Sequence, residues 1–270
     1  MSTPAPAPAT SINLSEVATR YLDGLQKIYD MTVFTLASTR KVNEEDYDQY
    51  SQQIHVMPRH EARMGFDQAK EATQQWFLRN SLADSVALIG PLLEDARTIC
   101  ELCLFKVGTN KDLVAFQRIV NEDRAASVQS SLPDRFKVLK EKYNIDCPVQ
   151  PHMESLVEAA KALIFKQGVL SADEAIHDGK LNVKIRSVQI VQAGEGTANA
   201  PAGGGPEPTL TLARRIGDSE RVFNVGDKII FNKAEQVGAI LTTGMFITSI
   251  LVGIQAFAQK TGAADDAQPQ

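Results

Sequence analysis

Apolar residues near the start of the chain repeat at three- and four-residue spacing, the period of a helix that packs on one side. The spacing predicts a first helix of roughly 25 residues. Its apolar positions are Leu14, Val17, Tyr21, Leu22, Leu25, Ile28, Tyr29 and Leu36. The polar and acidic stretch that follows, from Lys41 to Gln53, predicts a loop or a short helix.

A second helical pattern begins at Phe66 and carries apolar residues as far as Ile89. Gly90-Pro91 predicts a kink or break there, because proline lacks an N–H and clashes with the preceding turn. The pattern resumes from Leu92 to Val107. Asn110 then predicts the cap of another helix, whose apolar positions are Leu113, Phe116, Ile119 and Val120.

Two more helices are predicted before residue 171. Leu132-Pro133-Asp134 starts the first of them with proline in its first turn, and Phe136, Leu139 and Tyr143 form its stripe. The second covers Met153 to Leu170 and closes on a glycine. Its apolar face comprises Leu156, Ala160, Leu163 and Ile164. Ser171-Ala172-Asp173-Glu174 matches a capping box and predicts one or two further turns.

After Gly179 the apolar period changes from helical to alternating. Leu181, Val183 and Ile185 alternate with Asn182, Lys184 and Arg186, which predicts a strand with one solvated face. A flexible Gly/Ala/Pro loop at residues 193–208 separates it from Thr209–Leu212. Arg221–Phe223 and Lys228–Phe231 are further short strands in this interpretation. The pattern predicts a small antiparallel sheet within about 181–231.

The last helix is predicted to open at Asn232, with Glu235 completing a capping box. From Gln236 to Gln259 the chain has 24 residues without a charge, which is long enough to cross a bilayer. Ten of them are Gly, Thr, Ser or Gln, which weakens insertion. Large and small residues also occupy separate stripes. The large ones are Val237, Ile240, Leu241, Ile247, Ile250, Leu251, Ile254 and Phe257, and the small ones Gly238, Thr242, Ser249, Gly253 and Ala256. This favours a core or dimer-interface helix and leaves a membrane helix open.

These elements predict a mainly α fold: a helical bundle with a small antiparallel β-sheet and a C-terminal apolar helix. A single domain is expected at residues 12–260. Residues 1–11 and 261–270 are expected to be disordered tails, because their Pro/Ala-rich and polar compositions cannot bury a core. The chain is 43% hydrophobic and 23% charged, as in ordinary soluble globular proteins.

Charge and cysteine content narrow the function classes. The net charge is −5, whereas a protein that grips nucleic-acid phosphates is usually basic. RNA binding is therefore disfavoured, although a local basic groove is allowed. Three cysteines leave at least one unpaired, and the chain does not begin with a secretory pattern. A reducing cytoplasm is the expected compartment.

No metal site or cofactor is predicted. Cys100 and Cys103 form a C-x-x-C, but it lies inside a helical pattern and has no second pair. His55, Arg59 and His60 form the one local cluster that holds both imidazole and guanidinium groups. A surface loop is the preferred interpretation of this cluster, and contact with a ligand or partner is the alternative.

The stretch MESLVEAAKALIFKQGVL, residues 153–170, resembles the closing helix of the HEPN family, whose members are all-α dimers that often cleave RNA. That family shows an A-R-N-x-x-x-H-x-x-G string at this point. Here the Arg, Asn and His positions hold Ala160, Lys161 and Phe165. The cation that would stabilise phosphate and the imidazole that would move a proton are both missing. None of the four histidines has an arginine four to six residues upstream.

The resemblance covers residues 14–170 and the final helix, and it implies a fold with paired long helices at a dimer seam. Some members of the family are non-catalytic and only dimerise or hold a partner. The chain is therefore expected to be a cytoplasmic, homodimeric interaction or scaffold protein, with a bacterial defence or toxin–antitoxin context. We do not expect it to be an enzyme. Lys161 and Lys166 are candidate contacts for an anion or a partner.

Two other function classes stay open. An enzyme, a ribonuclease for example, could use an unrecognised site such as His55, Arg59 and His60. A membrane-associated effector could insert the helix at residues 236–259 into a bilayer.

Overall fold

The computed structural model describes residues 13–53, 63–107, 112–173, 178–192 and 212–263. The fold is mainly α with a small antiparallel sheet and a C-terminal apolar helix, as predicted. Its elements are α1 (Leu14–Lys41), α2 (Glu44–Gln53), α3 (Phe66–Ala87), α4 (Ile89–Val107), α5 (Leu113–Gln129), α6 (Leu132–Tyr143), α7 (Gln150–Phe165), β1 (Lys180–Gln192), β2 (Leu212–Asn224) and α8 (Lys233–Thr261).

The chain divides into two compact units. Unit 1 comprises Met1–Lys27, Ala87–Gln150 and Gly244–Gln270, and unit 2 comprises Ile28–Val86 and Pro151–Thr243. Helices α1 and α8 contribute residues to both units. The single domain expected over residues 12–260 stays a prediction.

Several predicted segments lie partly or wholly outside the described residues. The tail expected at residues 1–11 lies wholly outside them. Of the tail expected at residues 261–270, only residues 261–263 are described, and Thr261 is the last residue of α8. The loop predicted at 193–208 also lies outside, as does Glu174, the acidic partner in the predicted capping box.

The helix break predicted at Gly90-Pro91 occurs slightly earlier. Helix α3 ends at Ala87 and α4 begins at Ile89, so that Pro91 lies in the first turn of α4. A missing N–H has no consequence there, because first-turn N–H groups have no partner within the helix. The next N–H, that of Leu92, already donates to the carbonyl of Leu88 at 3.2 Å.

Short polar side chains set the ends of α5 and α6. Asp112 caps α5, because its carboxylate accepts the N–H groups of the second and third residues of that helix. The prediction of Asn110 as this cap is therefore wrong by two residues. Ser131 caps α6 ahead of Pro133, and Asn144 ends α6 in a left-handed conformation.

The core of unit 1 is built by α4, α6 and the later part of α8. Two edge-to-face aromatic pairs join α6 to α8, each with ring centroids 5.5 Å apart: Phe136 with Phe246, and Tyr143 with Phe257. Gly253 on α8 lies so close to Ile145 that a Cβ added there would be 2.6 Å from its Cγ2. This small residue permits close packing, as its place on the small stripe predicts.

In unit 2, β1 and β2 form a two-stranded antiparallel sheet whose register runs from Lys180 opposite Asn224 to Gln192 opposite Leu212. The alternation predicted for β1 is confirmed, with Leu181, Val183 and Ile185 buried. Its other face carries side chains that are exposed or half-buried.

The strand predicted at Lys228–Phe231 is wrong. This segment makes only an isolated bridge, between Lys228 and Val169. Its backbone pairs locally with the segment after α7, where the N–H of Ile229 donates to the carbonyl of Gly168 at 2.7 Å. Burial nevertheless alternates along the segment, since Ile229 and Phe231 are buried and Lys228 and Ile230 are exposed. It reflects an extended segment packed on one side, without a ladder partner.

Helical hydroxyl groups close the free edge of β1. The N–H of Lys184 donates to Ser155 Oγ on α7 at 3.0 Å, and the N–H of Arg186 donates to Thr242 Oγ1 on α8 at 2.8 Å. A Cβ added at Gly238 would lie 2.5 Å from Ile185 Cγ2 and 2.7 Å from the Arg186 carbonyl oxygen. Helix α8 therefore packs on β1 with no room for a larger residue.

The start of α8 is a capping box, as predicted. The N–H of Asn232 donates to Glu235 Oε2 at 2.8 Å, and the N–H of Glu235 donates to Asn232 Oδ1 at 2.9 Å. Buried positions of the large apolar stripe are Ile240, Ile247, Ile250 and Ile254. Val237, which the sequence places on this stripe, is instead nearly half exposed.

Among the described residues, α8 is a 29-residue helix whose length and hydropathy would suit a membrane span. About half of its most apolar window is buried within the protein. Core helices of soluble proteins meet the same criteria, so composition alone does not assign α8 to a membrane.

Replacing Gly238 should destabilise the fold. We expect Gly238→Ala to lower the free energy of unfolding by about 1–3 kcal/mol, because the new methyl group meets backbone as well as side chain. Gly24→Ala is the matched control, since its Cβ would lie 3.7 Å from the nearest atom of Leu88. This control should stabilise helix α1 by about 0.5–1 kcal/mol. Urea denaturation measures both, and equal effects would contradict the close packing.

Candidate functional site

The positions that correspond to the HEPN string do not meet in a cleft. Ala160 is 2% exposed and lies in the apolar core of unit 2, whereas Phe165 is 74% exposed. Lys161 is exposed, and its Nζ lies 2.7 Å from Glu158 Oε1. Because these three side chains lie in different environments, no catalytic group is brought together here.

The apolar face predicted for α7 is confirmed at Leu156, Ala160 and Leu163, all of which are buried. The assignment of Ile164 to this face is wrong, since more than half of that residue is exposed. Leu163 continues the buried face into the last turn, and Ile164 is left beside exposed Phe165.

An apolar surface patch forms where α7 ends. Ile164, Phe165 and Val169 are all exposed and lie within six residues of one another. We call these three residues the α7 end patch. The chain turns between them through Gln167 and Gly168, both with positive φ. The N–H of Gly168 donates to the carbonyl of Ala162 at 2.9 Å, which ends the helix and fixes the turn.

Ion pairs flank the α7 end patch. Lys161 pairs with Glu158, and Lys166 Nζ lies 3.9 Å from Asp173 Oδ2. Both lysines that the sequence offers as anion contacts therefore have carboxylate partners. The surroundings of the patch carry both signs of charge.

The His55, Arg59 and His60 cluster lies outside the described residues. Arg63, the neighbouring arginine that the structure does describe, binds α2. Its guanidinium lies 2.7 Å from Asp48 Oδ1 and 5.1 Å from the ring centre of Tyr47. These contacts tie the start of the described segment to α2.

A second group of polar side chains was not predicted from the sequence. His152 on α7, Arg186 on β1 and Asp218 on β2 meet in unit 2. Asp218 Oδ1 lies 3.0 Å from His152 Nε2 and 3.1 Å from Arg186 Nη1. Only the strand register could have revealed it, because Arg186 lies directly opposite Asp218. The sequence pattern started its strand at Arg221 and so left Asp218 out.

The chemistry of this triad is structural rather than catalytic. His152 is only 7% exposed, and its Nδ1 is buried without a hydrogen-bond partner among the described residues. Its Nε2 lies 3.0 Å from Asp218 Oδ1, so both ring nitrogens are enclosed by the protein. The carboxylate itself is largely exposed, which limits the strength of the pair. The triad ties helix α7 to the hairpin.

Unit 2 also contains a cavity of about 270 Å³ beside the end of α7. Its wall is mainly apolar, and the apolar side chains are Trp76, Leu78, Leu163, Ile229, Ile230 and Phe231. Polar groups come from Gln75, Arg79, Gln167 and Lys228. Trp76 and Ile230 are each about half exposed, so the cavity opens to solvent on their side.

Two cations in this wall lack a balancing negative charge. Arg79 is half-buried and Lys228 is exposed, and neither forms an ion pair with a carboxylate of the described residues. No local sequence pattern indicates this site, since α3, the turn after α7 and the segment after β2 all contribute to it. Partial burial raises the cost of an unbalanced guanidinium and so favours an anion nearby.

The cysteines are buried thiols. Cys100, Cys103 and Cys147 are all buried, and none of them forms a disulfide bond within the part of the chain that the structure describes. The pKa of Cys100 is raised to about 12, mainly by burial of the thiol and to a smaller extent by the nearby Cys103 and Glu101. Burial also raises the pKa of Cys147. Within the described ranges, no group of three or more His, Cys, Asp and Glu side chains is placed to hold a metal ion.

No family model, curated protein or solved structure matches the chain. The similarity to the HEPN family therefore rests on the residues quoted for it, and on no detected relative.

Arginine at the position that corresponds to the HEPN arginine should unfold the protein rather than create a nuclease. Ala160→Arg would place a long cation in the core of unit 2, and we expect it to lower the free energy of unfolding by more than about 3 kcal/mol. Phe165→His, at an exposed site, should change it by less than about 0.5 kcal/mol. Thermal unfolding compares the two variants. A stable Ala160→Arg protein would contradict the burial of this position.

The thiols should be almost inert in the folded protein. With a pKa of about 12, Cys100 has only about one thiolate in ten thousand at pH 8. A thiol-disulfide reagent such as 5,5′-dithiobis(2-nitrobenzoate) should therefore react slowly with native protein and rapidly with three thiols in denaturant. Fast reaction of two or more thiols in the native state would refute this burial.

Proposed function

We propose that the protein is a non-catalytic, HEPN-like interaction module that works as a homodimer. The α7 end patch is the observation that carries this proposal, because it exposes a large aromatic side chain between two aliphatic ones. Contiguous exposed apolar patches can mark sites of protein–protein interaction. Aromatic residues are also the side chains that dominate the energy of protein interfaces.

A second copy of the chain is the occupant that fits the patch best. A two-fold interface brings the same surface together twice, so the surface must complement itself. The Lys161–Glu158 and Lys166–Asp173 pairs place both signs of charge around the patch. Two facing patches can therefore align opposite charges, whereas a patch rimmed by one sign would repel its copy.

The environment of the former catalytic positions supports a role without chemistry. Ala160 is part of the core, and Phe165 can neither bind phosphate nor carry a proton. The family resemblance extends the proposal to a cytoplasmic protein with a role in bacterial defence or in a toxin–antitoxin pair, where the dimer would hold a protein partner. RNA stays a weaker candidate partner because of the net charge of −5.

A charge in the α7 end patch should break the dimer. We expect Phe165→Asp to weaken self-association at least about tenfold, since it replaces an aromatic anchor by a carboxylate. Phe34→Asp is the matched control, because Phe34 on α1 has the same exposure of 74%. Sedimentation velocity over a range of concentrations measures both variants and the unaltered chain.

Three results would overturn the proposal. The unaltered chain could be monomeric at every concentration, or Phe34→Asp could disrupt the dimer as strongly as Phe165→Asp. Efficient RNA cleavage by the purified, unaltered chain would also end it. Loss of such cleavage in His60→Ala would then favour the enzyme alternative at His55, Arg59 and His60.

A membrane-associated effector is the second candidate, and the length and hydropathy of α8 favour it. Against it, Gly238 and Gly253 on α8 each pack tightly against other parts of the protein. Flotation of the full-length chain with lipid vesicles distinguishes the two candidates. A protein that stays with the aqueous fraction without detergent supports the interaction module, and one that floats with the vesicles supports the effector.

A further inference from the structure

We propose that the cavity beside the end of α7 binds a small amphipathic anion of the medium-chain carboxylate class. None of the three residues of the α7 end patch lines this cavity, and the proposal does not depend on dimerisation. It stands on three features of the cavity: its volume, its apolar wall and its two unbalanced cations.

The volume sets the size of the ligand. A cavity of about 270 Å³ lies just below the roughly 300–1,000 Å³ of pockets that hold drug-sized ligands, so it suits a small ligand of about ten non-hydrogen atoms. The wall favours an apolar body, since Leu78, Leu163, Ile229 and Phe231 are all buried side chains that line it. Apolar atoms placed there leave water, which is the main contribution to binding in pockets of this kind.

The two cations of the wall favour a ligand with a negative charge at one end. Arg79 and Lys228 both line the cavity, and neither has a carboxylate partner among the described residues. A guanidinium can grip a carboxylate with two parallel hydrogen bonds, and an ammonium adds a second positive charge. By contrast, Lys161 and Lys166 already have acidic partners. An anion with an acyl chain satisfies both the cations and the wall.

A backbone hydrogen bond joins two segments that line the cavity. Gly168 contributes to its wall with φ +83°, a conformation that residues with a side chain rarely adopt. The carbonyl of Gly168 accepts the N–H of Ile229, so the two sides of the cavity are joined by a hydrogen bond of 2.7 Å. This hydrogen bond holds the turn after α7 against the segment after β2.

Octanoate is the probe, because it has ten non-hydrogen atoms and does not absorb where tryptophan fluoresces. Trp76 is the sole tryptophan of the chain and lines the cavity, so its emission reports binding there directly. We expect a saturable change in Trp76 emission with octanoate, and calorimetry should give the same affinity. 1-Octanol lacks the charge and inorganic phosphate lacks the chain, so each should bind at least about tenfold more weakly.

Charge-removing variants locate the site. Arg79→Gln and Lys228→Gln should each weaken octanoate binding, and the double variant should weaken it at least about tenfold. Lys161→Gln is the matched control on α7 and should bind like the unaltered chain, as should Phe165→Asp. Circular dichroism and thermal unfolding of each variant check that the fold is retained.

Four results would overturn the proposal. They are the absence of a saturable response to octanoate, equal affinity for 1-octanol, equal loss in Lys161→Gln, and binding to anionic lipid vesicles with none to free octanoate. Loss of octanoate binding in Phe165→Asp would also count against a cavity that is separate from the patch.

Discussion

The arrangement of unit 2 depends on the closed outer edge of β1. A two-stranded sheet leaves backbone N–H groups unpaired on its outer edges, and buried N–H groups without partners are costly. Here the backbone N–H of Lys184 donates to the hydroxyl group of Ser155, and the N–H of Arg186 donates to that of Thr242. The contact is possible because Gly238 lets α8 approach the strand to a distance that no other residue allows. These two hydrogen bonds join α7 and α8 to β1 at fixed positions along the strand.

That register determines where the polar side chains of unit 2 lie. With β1 fixed against α7, Arg186 and Asp218 are opposite each other and within reach of His152. The hairpin also sets the start of the extended segment after β2, which pairs with the turn at Gly168. The cavity forms between that pairing and α3. Its cations are therefore positioned by backbone hydrogen bonds rather than by ion pairs of their own.

Elements that depend on local periodicity could be predicted from the sequence. Features that depend on pairing between distant segments could not. The alternation of β1 and the box at Asn232 and Glu235 depend on neighbouring residues, and both are present. The predicted stripe of α1 is only partly present, since Tyr21 and Leu25 are buried whereas Leu22 is exposed. Lys228–Phe231 shows the limit, because alternating burial does not distinguish a strand from an extended segment that packs on one side. The triad, the cavity and the exposure of Ile164 depend on pairings that no local pattern contains.

The contrast between Ala160 and Phe165 links the fold to the proposed function. In a helix, residues five apart differ in direction by about 140°, so one of these positions can face the core while the other faces solvent. An alanine suits the buried position, where a long cation would lack a partner. A phenylalanine at the exposed position adds no chemistry but offers apolar area to another protein. The end of α7 thus presents apolar area to solvent and keeps the Ala160 position inside the core of unit 2.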